Sequence, residues 1–317
     1  MRPLLFAHDS MADHRPGFGH PERPERLRAV LRGFEGLGFA PRRPSPANRE
    51  ALLRVHTLEH LACLEAAAVM AQDEPIALDA DTRLSAGSLP AALLAAGAVV
   101  EATQAVLQDG APAAFCAVRP PGHHAEPERA MGFCLLNSIA VGALHALAEL
   151  RCARVAVLDI DVHHGNGTQA VAEHEPRLFF ASVHQSPLYP GTGGADERGR
   201  HNNITNAPLP PGTEGPAWRL AVLGLLRQVQ EFGPELLLVS AGFDGHAADP
   251  LSHFELQDED FAWAGRTVSA FAGNHCRAGV VATLEGGYDL RALESAAAAF
   301  AGGLGAPDFL QPGGTGT

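Results

Sequence analysis

The sequence of 317 residues contains no lysine, and all 23 of its basic side chains are arginine. Set against 36 acidic residues, they leave a formal net charge of -13 at pH 7. Surfaces that bind nucleic acid or anionic lipid need clusters of basic side chains, so this balance argues against both kinds of partner. The chain also offers no lysine amine of its own for modification.

Cysteines are few, and long hydrophobic runs are absent. The five cysteines are odd in number and include no C-x-x-C pair, which is typical of a reducing compartment. The N-terminus "MRPLLFAHDS" has too short an apolar run for a signal peptide. The longest run, "LPAALLAAGAVV", ends at Glu101, and we expect it to be too short to span a membrane. These features predict a cytoplasmic protein.

What the chain does have is a series of short runs that are uniformly apolar, as strands buried on both faces are. The predicted strands are 113–118, 154–160, 177–183, 235–242 and 279–286. The predicted helices are 88–108, 137–149, 166–174, 215–232, 258–273 and 289–303. This alternation predicts one α/β domain over 1–304, with a central, mostly parallel sheet flanked by helices on both faces. We expect 20–72 to be mostly helical and 305–317 to be a flexible tail.

Each predicted strand is followed by a polar cluster that contains glycine or proline. The clusters are "RPPGHHA", "DIDVHHGNG", "SVHQSPLYPGTG", "SAGFDGH" and "LEGGYDL". In open parallel sheets, ligands bind at the carboxyl ends of the strands. We therefore expect the five clusters to converge on one site.

The cluster after 154–160 carries the pattern expected of a metal site. Asp161 and His163 are two residues apart, so in an extended chain their side chains point the same way. A carboxylate and a neutral imidazole suit zinc, and iron(II) could compete where it is abundant. Asp244 is the natural third ligand, and Asp159 would orient a histidine. The alternative is that Asp159 and Asp161 only cap the following helix.

Two further clusters carry groups that handle protons or charge. His123 and His124 follow a Pro-Pro-Gly turn and could supply the base and the acid that amide hydrolysis needs. Tyr288 is one of only two tyrosines, and its phenol could donate a hydrogen bond to a developing oxyanion. Gly286 and Gly287 would give its loop the freedom to bring it in. The alternatives are two exposed loop histidines and a tyrosine that only packs.

Seven motifs occur in order along the chain: "GHPERPERL", "RPPGHHA", "MGFCLLN", "DIDVHHGNGTQ", "SVHQSPLYPGTG", "SAGFDGHAADPL" and "LEGGYDL". As a set they resemble the histone deacetylase superfamily, most closely its class II enzymes and the bacterial histone deacetylase-like amidohydrolases. The resemblance spans residues 4–303, nearly the whole chain. It implies the arginase/deacetylase α/β fold and a zinc-dependent deacetylase that hydrolyses linear amides.

The resemblance also implies roles for the matching residues. The implied zinc ligands are Asp161, His163 and Asp244. The implied catalytic set is His123, His124, Tyr288, Asp159 and Asn166, with His124 as the main general base and acid. The implied substrate contacts are Gly132, Phe133, Tyr189, Leu251, Gly286 and Gly287. A structural potassium ion would be held by Asp159, Asp161, His163, Ser182 and Val183. Arg26 is similar to a family arginine beside an internal product channel.

Two positions depart from other branches of the family. Asn166 stands where class I enzymes carry an aspartate beside the second histidine, and a neutral partner stabilises an imidazolium less. Leu251 stands where polyamine-selective relatives place a glutamate that pairs with a cationic amine, so it weakens a polyamine prediction.

Three functions remain open from the sequence. The first is removal of acetyl or other acyl groups from lysine side chains of proteins or peptides. The second is hydrolysis of a small N-acyl amine such as an acetylpolyamine. The third is acyl-group binding without catalysis, which would need neither the tandem histidines nor the tyrosine. The sequence leaves self-association into a homo-oligomer undecided.

Overall fold

The computed structural model describes residues 3–304, so the predicted C-terminal tail lies outside the described residues. An eight-stranded sheet, in which every neighbouring pair is parallel, runs in the order β2-β1-β5-β10-β9-β6-β7-β8. A short antiparallel pair, β3 and β4, stands apart from it. The strands are β1 (Leu4–Phe6), β2 (Ala40–Arg42), β3 (Ile76–Ala77), β4 (Arg83–Leu84), β5 (Ala113–Cys116), β6 (Val155–Asp159), β7 (Leu178–Gln185), β8 (Ile204–Leu209), β9 (Leu236–Ala241) and β10 (Val280–Leu284).

Helices pack in two layers against this sheet, which confirms the predicted α/β architecture. One layer contains α4 and α5, and the other contains α1, α9, α8 and α7, which contact one another in that order. The helices are α1 (Glu25–Gly33), α2 (Arg49–Leu53), α3 (Leu58–Met70), α4 (Ser88–Leu107), α5 (Ser138–Ala148), α6 (Asn166–Ala172), α7 (Gly215–Phe232), α8 (Asp258–His275) and α9 (Leu290–Leu304).

The expectation for the N-terminal region was only partly right. Between residues 20 and 72, α1, α2 and α3 are separated by β2 and by extended segments. Prolines at positions 41, 44 and 46 disfavour helix there, because proline lacks a backbone N–H and clashes with the preceding turn. Pro41 lies in β2, an edge strand, where a missing backbone donor can be tolerated.

Helix α4 contains the longest apolar run and is longer than that run suggested. Its 20 residues make it the one helix within residues 3–304 that is long and apolar enough to cross a membrane. However, 67% of its apolar window is buried inside the protein, where it packs against α5 and β5. Gly97 permits close packing, because a Cβ there would collide with the backbone oxygen of Ser45. We therefore identify α4 as a core helix of the α/β domain.

The five strands predicted from apolar runs are neighbours at the centre of the sheet, in the order β5-β10-β9-β6-β7. Asp159, the last residue of β6, is paired with Ser182 of β7 and with Ser240 of β9. Because all five strands run parallel, their carboxyl ends meet at one edge of the sheet. The polar clusters that follow them are thus brought together, as the sequence predicts.

Candidate active site

Three potential metal ligands converge at the carboxyl ends of β6 and β9. Asp161, His163 and Asp244 each offer one ligand atom, and these atoms lie within 4.8 Å of one another. The Nδ1 atom of His163 is 3.1 Å from a carboxylate oxygen of Asp161 and 3.1 Å from one of Asp244. All three residues are buried.

Backbone amides orient both carboxylates. The N–H of Gly286 donates to Asp161 at 2.8 Å, and that of Val162 donates to Asp244 at 3.0 Å. The alternative helix-capping role is wrong, because α6 begins after Gly165 without a side-chain cap. Asp159 instead accepts the N–H of Asp161 at 3.1 Å.

The charge balance of this cluster favours a cation. Burial opposes protonation of His163, yet its hydrogen bonds to the two aspartates raise its pKa to about 10. Burial and the neighbouring Asp161 carboxylate raise the pKa of Asp244 to about 6. Two buried carboxylates facing one imidazole need a positive charge between them, and this donor set fits a divalent metal such as zinc.

The tandem histidines lie beside this cluster, and the centres of their two rings are 4.0 Å apart. His123 donates from Nδ1 to Asp159 at 2.9 Å, and His124 donates from Nδ1 to the side-chain oxygen of Asn166 at 2.8 Å. Although burial opposes it, Asp159 and Asp161 raise the pKa of His123 to about 10. Burial and the neighbouring histidines hold the pKa of His124 well below its usual value. Both are buried, so neither is an exposed loop histidine.

Glu285 binds the backbone of the loop that carries His123 and His124. The sequence did not single it out. Its carboxylate accepts the backbone N–H of Gly122 at 2.6 Å and that of His123 at 3.1 Å. Burial raises the pKa of Glu285 to about 7. One sequence feature could have identified Glu285: it is an ionisable residue directly after the apolar strand β10, inside the motif that contains Tyr288.

Tyr288 is buried between the candidate metal ligands and Arg26. Burial, together with Asp244 and Asp161, holds the pKa of its phenol well above the usual value, so the hydroxyl stays a donor. The guanidinium of Arg26 lies 4.8 Å from the ring centre and donates to the backbone oxygen of Gly287 at 2.6 Å.

Asp249 anchors the same loop and was missed in the sequence. Its side chain accepts the N–H of Tyr288 at 2.6 Å and that of Asp289 at 3.2 Å. Its other oxygen accepts the N–H of Leu251 at 3.0 Å. One carboxylate thus connects the loop after β9 with the loop after β10.

A narrow cavity of about 220 Å³ leads to this cluster. Four of the six predicted substrate contacts line it, together with Asp81 and Leu188, which the sequence did not indicate. The lining residues are Asp81, His124, Gly132, Phe133, His163, Leu188, Tyr189, Leu251 and Tyr288.

Gly286 and Gly287 are not among the residues that line the cavity, and their role as substrate contacts stays a prediction. A Cβ at Gly286 would collide with the carboxylates of Asp244 and Asp161. Gly287 has φ 120° and lies against Phe243. Glycine is required at 286 because the two carboxylates approach the backbone closely there.

A buried ionic cluster holds the N-terminal segment beside this site. Glu22 accepts from Arg119 at 2.6 and 2.7 Å, from Arg26 at 3.1 Å and lies 3.1 Å from His14. All four side chains are buried. Arg26 extends the cluster to Tyr288, so the ionic network connects α1 with the loop after β10.

The predicted potassium ligands lie at and just after the end of β6 and within the second half of β7. Asp159 and Ser182 are paired across β6 and β7, and Ser182 contacts Nδ1 of His184 at 2.9 Å. His164 is buried and contacts Thr192 and Gln169, each at 2.8 Å. These contacts indicate a structural role for His164.

Comparisons with known proteins agree with this geometry. A family model described as "Histone deacetylase domain" matches residues 20–304. A "Probable deacetylase" of Archaeoglobus fulgidus is 38% identical over 296 residues, which cover 90% of this chain and 81% of that protein. A "Histone deacetylase-like amidohydrolase" of Pseudomonas aeruginosa is 38% identical over 280 residues, covering 85% and 73%.

Solved structures include neighbours of the same fold. The acetylpolyamine aminohydrolase from Burkholderia pseudomallei superimposes with a TM-score of 0.86 and 32% sequence identity. The match covers 96% of this chain and 99% of that chain.

Proposed function

The chain belongs to the histone deacetylase family of deacetylases and amidohydrolases, and from this premise we propose that it is a zinc-dependent hydrolase that removes acetyl or other acyl groups from lysine side chains. The observation that carries the proposal is the convergence of three kinds of group at one narrow cavity. His163 from the metal cluster, His124 from the tandem histidines and Tyr288 all line it.

Asp161, His163 and Asp244 would hold the metal, because their ligand atoms already converge. A divalent metal bound there supplies Lewis-acid chemistry, polarising a carbonyl oxygen and making water more acidic. The third, non-catalytic hypothesis loses support, since a simple binder needs neither buried tandem histidines nor a buried phenol beside such a cluster.

His124 is the proton-transfer residue in this proposal. Its Nδ1 donates to Asn166, so its Nε2 is free to take a proton from the attacking water and return it to the leaving amine. His123 is held by Asp159 and stabilises negative charge as the amide is attacked. Tyr288 donates its hydroxyl proton in a hydrogen bond to the oxygen of the tetrahedral intermediate.

The shape of the entrance supports an acylated side chain as substrate. Phe133, Tyr189 and Leu251 give the cavity apolar walls, which suit the methylene stem of a lysine. A wider surface groove of about 860 Å³, formed mainly by residues 15–25, shares Tyr288 with the cavity. A peptide backbone could lie in this groove while its acylated side chain enters the cavity.

A second candidate is hydrolysis of small acylated amines, including acetylpolyamines. Leu251 lines the cavity and provides no charge for a cationic amine. Asp81 lines the same cavity, however, and could pair with one. Because of the Asp81 carboxylate, an acetylated polyamine is tested beside the lysine substrate.

The first experiment compares turnover of an acetyl-lysine peptide and of acetylputrescine by zinc-loaded protein, with Tyr288→Phe as the matched variant. We expect peptide hydrolysis, lowered about a hundredfold in the variant because one oxyanion donor is lost. Turnover of acetylputrescine alone would contradict the lysine substrate. Absence of turnover on both, and on longer acyl-lysine peptides, would contradict the proposed function.

Asp249→Ala should lower kcat by up to about a hundredfold, because it frees the backbone that positions Tyr288. Metal content should be unchanged. The control is Asp289→Ala in the same loop, since the Asp289 side chain accepts from the first turn of α9, at Arg291 and Ala292. Equal losses of kcat in the two variants would contradict a specific anchoring role for Asp249.

Two further features complete the proposal. Potassium would be bound between the end of β6 and the second half of β7, at Asp159, Asp161, His163, Ser182 and Val183. A cytoplasmic location is supported by the five cysteines, which are all free in the part of the chain that the structure describes.

A further inference from the structure

Glu126 lies two residues after the tandem histidines and contacts the side-chain amide of Asn166, which is hydrogen-bonded to His124. Its Oε1 accepts a hydrogen bond from Nδ2 of Asn166 at 2.8 Å. Asn166 in turn accepts through Oδ1 from Nδ1 of His124 at 2.8 Å. A carboxylate, an amide and an imidazole therefore form one continuous chain of hydrogen bonds.

We propose that Glu126 is a positioning residue, which selects the protonation site on the His124 ring by fixing the orientation of the Asn166 amide. A side-chain amide can turn over, presenting either its oxygen or its NH2 group to a neighbour. A carboxylate only accepts, so the NH2 group must face Glu126 and the oxygen must face His124. His124 then carries its hydrogen on Nδ1, which leaves Nε2 unprotonated.

The backbone of Glu126 is held in place from two sides. Its N–H donates to the carbonyl of Arg129 at 2.9 Å. Its own carbonyl accepts from Nδ1 of His56 at 3.2 Å, and His56 accepts the N–H of Asn137 at 2.9 Å through its other nitrogen. His56 is buried, so this anchor is shielded from water. The Glu126 side chain is thereby aimed at Asn166.

The other contacts of the Asn166 amide constrain its orientation less strongly. The Nδ2 atom of Asn166 lies 3.4 Å from the backbone oxygen of His124 and 3.3 Å from Sδ of Met131. The Glu126 contact is shorter and charge-assisted, so it dominates the choice of orientation.

The charge of Glu126 is partly compensated at its other oxygen. Arg129 donates to Oε2 at 2.9 Å, and the side chains are 60% and 31% exposed for Arg129 and Glu126. Solvent and this ion pair screen long-range attraction. The effect on His124 therefore acts through hydrogen-bond direction, which screening does not remove.

The inference rests on the proposed function for its kinetic test, which uses Glu126→Gln. Glutamine has nearly the same shape but can present a donor, so Asn166 is no longer held in one orientation. We expect kcat to fall about tenfold with KM unchanged, because only a fraction of the molecules then keep Nε2 unprotonated. The zinc content should stay equal to that of the wild-type protein.

A double-mutant cycle separates this role from a general loss of structure. Asn166→Asp alone places two carboxylates at hydrogen-bond distance, which we expect to be as damaging as Glu126→Gln or more so. Combining Asn166→Asp with Glu126→Gln restores a donor facing an acceptor, and the new aspartate still accepts from His124. The double variant should return to within about threefold of wild-type kcat. A double variant no better than Asn166→Asp would overturn the inference.

Arg129→Gln is the matched control, since it removes the exposed ion pair but keeps the Glu126–Asn166 hydrogen bond. We expect its kcat to stay within about twofold of the wild type, as for most surface substitutions. Equal losses in Arg129→Gln and Glu126→Gln would mean that Glu126 only stabilises its turn, and would overturn the inference.

A spectroscopic test needs no substrate and so distinguishes failure of this inference from failure of the proposed function. Histidine ring nitrogens are labelled with ¹⁵N in the zinc-loaded protein, and His124→Gln assigns the resonances. We expect His124 to be protonated on Nδ1 in the wild type and to show mixed protonation or exchange broadening in Glu126→Gln. An identical Nδ1-protonated signal in both proteins would overturn the inference, whether or not a substrate had been found.

Discussion

Replacing Asp244 by asparagine is expected to abolish stable metal binding and to lower turnover by at least about a thousandfold. Asp244 contributes one of two carboxylates whose oxygens lie 3.1 Å from Nδ1 of His163. An amide oxygen carries no charge and holds a divalent cation much less tightly. Because polarisation by the metal lowers the barrier by several kcal/mol, its loss corresponds to several factors of ten in rate.

The measurement is metal content after dialysis, together with kcat on the peptide substrate and the rise in Tm on adding zinc. Asp109→Asn, an exposed position two residues after α4, makes the same chemical change outside the site and should match the wild type in all three. A variant at Asp244 that kept one zinc per chain and full turnover would refute the proposed ligand set.

Glu22→Gln should lower the free energy of unfolding by about 3–5 kcal/mol, the usual cost of leaving a buried charge without its partner. Glu22 is fully buried and is bound by Arg119 through two hydrogen bonds and by Arg26 through one. Glutamine keeps the volume but leaves two buried guanidinium groups without a counter-charge. Urea denaturation of both proteins measures the difference.

The same variant predicts a pH dependence. Burial opposes ionisation, yet Arg119 and His14 hold the pKa of Glu22 well below 4.5, its ordinary value. Because the folded-state pKa is the lower one, the stabilisation is complete above pH 4.5 and is lost as the pH falls through the folded-state pKa. The difference between wild type and Glu22→Gln should therefore be constant near neutrality and shrink in acid.

Glu59→Gln is the control for this experiment, since Glu59 is exposed in the first turn of α3. We expect it to change the free energy of unfolding by less than about 0.5 kcal/mol. If Glu22→Gln changed stability no more than this, the buried cluster would not contribute to folding as described.

Much of the site was predictable because its residues follow strands that the sequence marks clearly. A strand covered on both faces must be apolar throughout, so β5, β6, β7, β9 and β10 stand out without any knowledge of the fold. The strands β1, β2 and β8, at the two sides of the sheet, were missed, because β1 and β2 have three residues each and β8 contains Thr205, Asn206 and Pro208.

The sequence by itself determined the parallel α/β architecture and the chemical character of the strand ends, including Asp161, His163, Asp244 and the tandem histidines. These follow from local patterns, since apolar periodicity and neighbouring ligands are contained in short segments. Only the tertiary structure decided which distant groups meet. Glu22 pairs with Arg119 across 97 residues, and Asp249 holds Tyr288 across 39. Such pairs form because a buried charge or amide must find a partner wherever the fold brings one, and nothing local in the sequence records that choice.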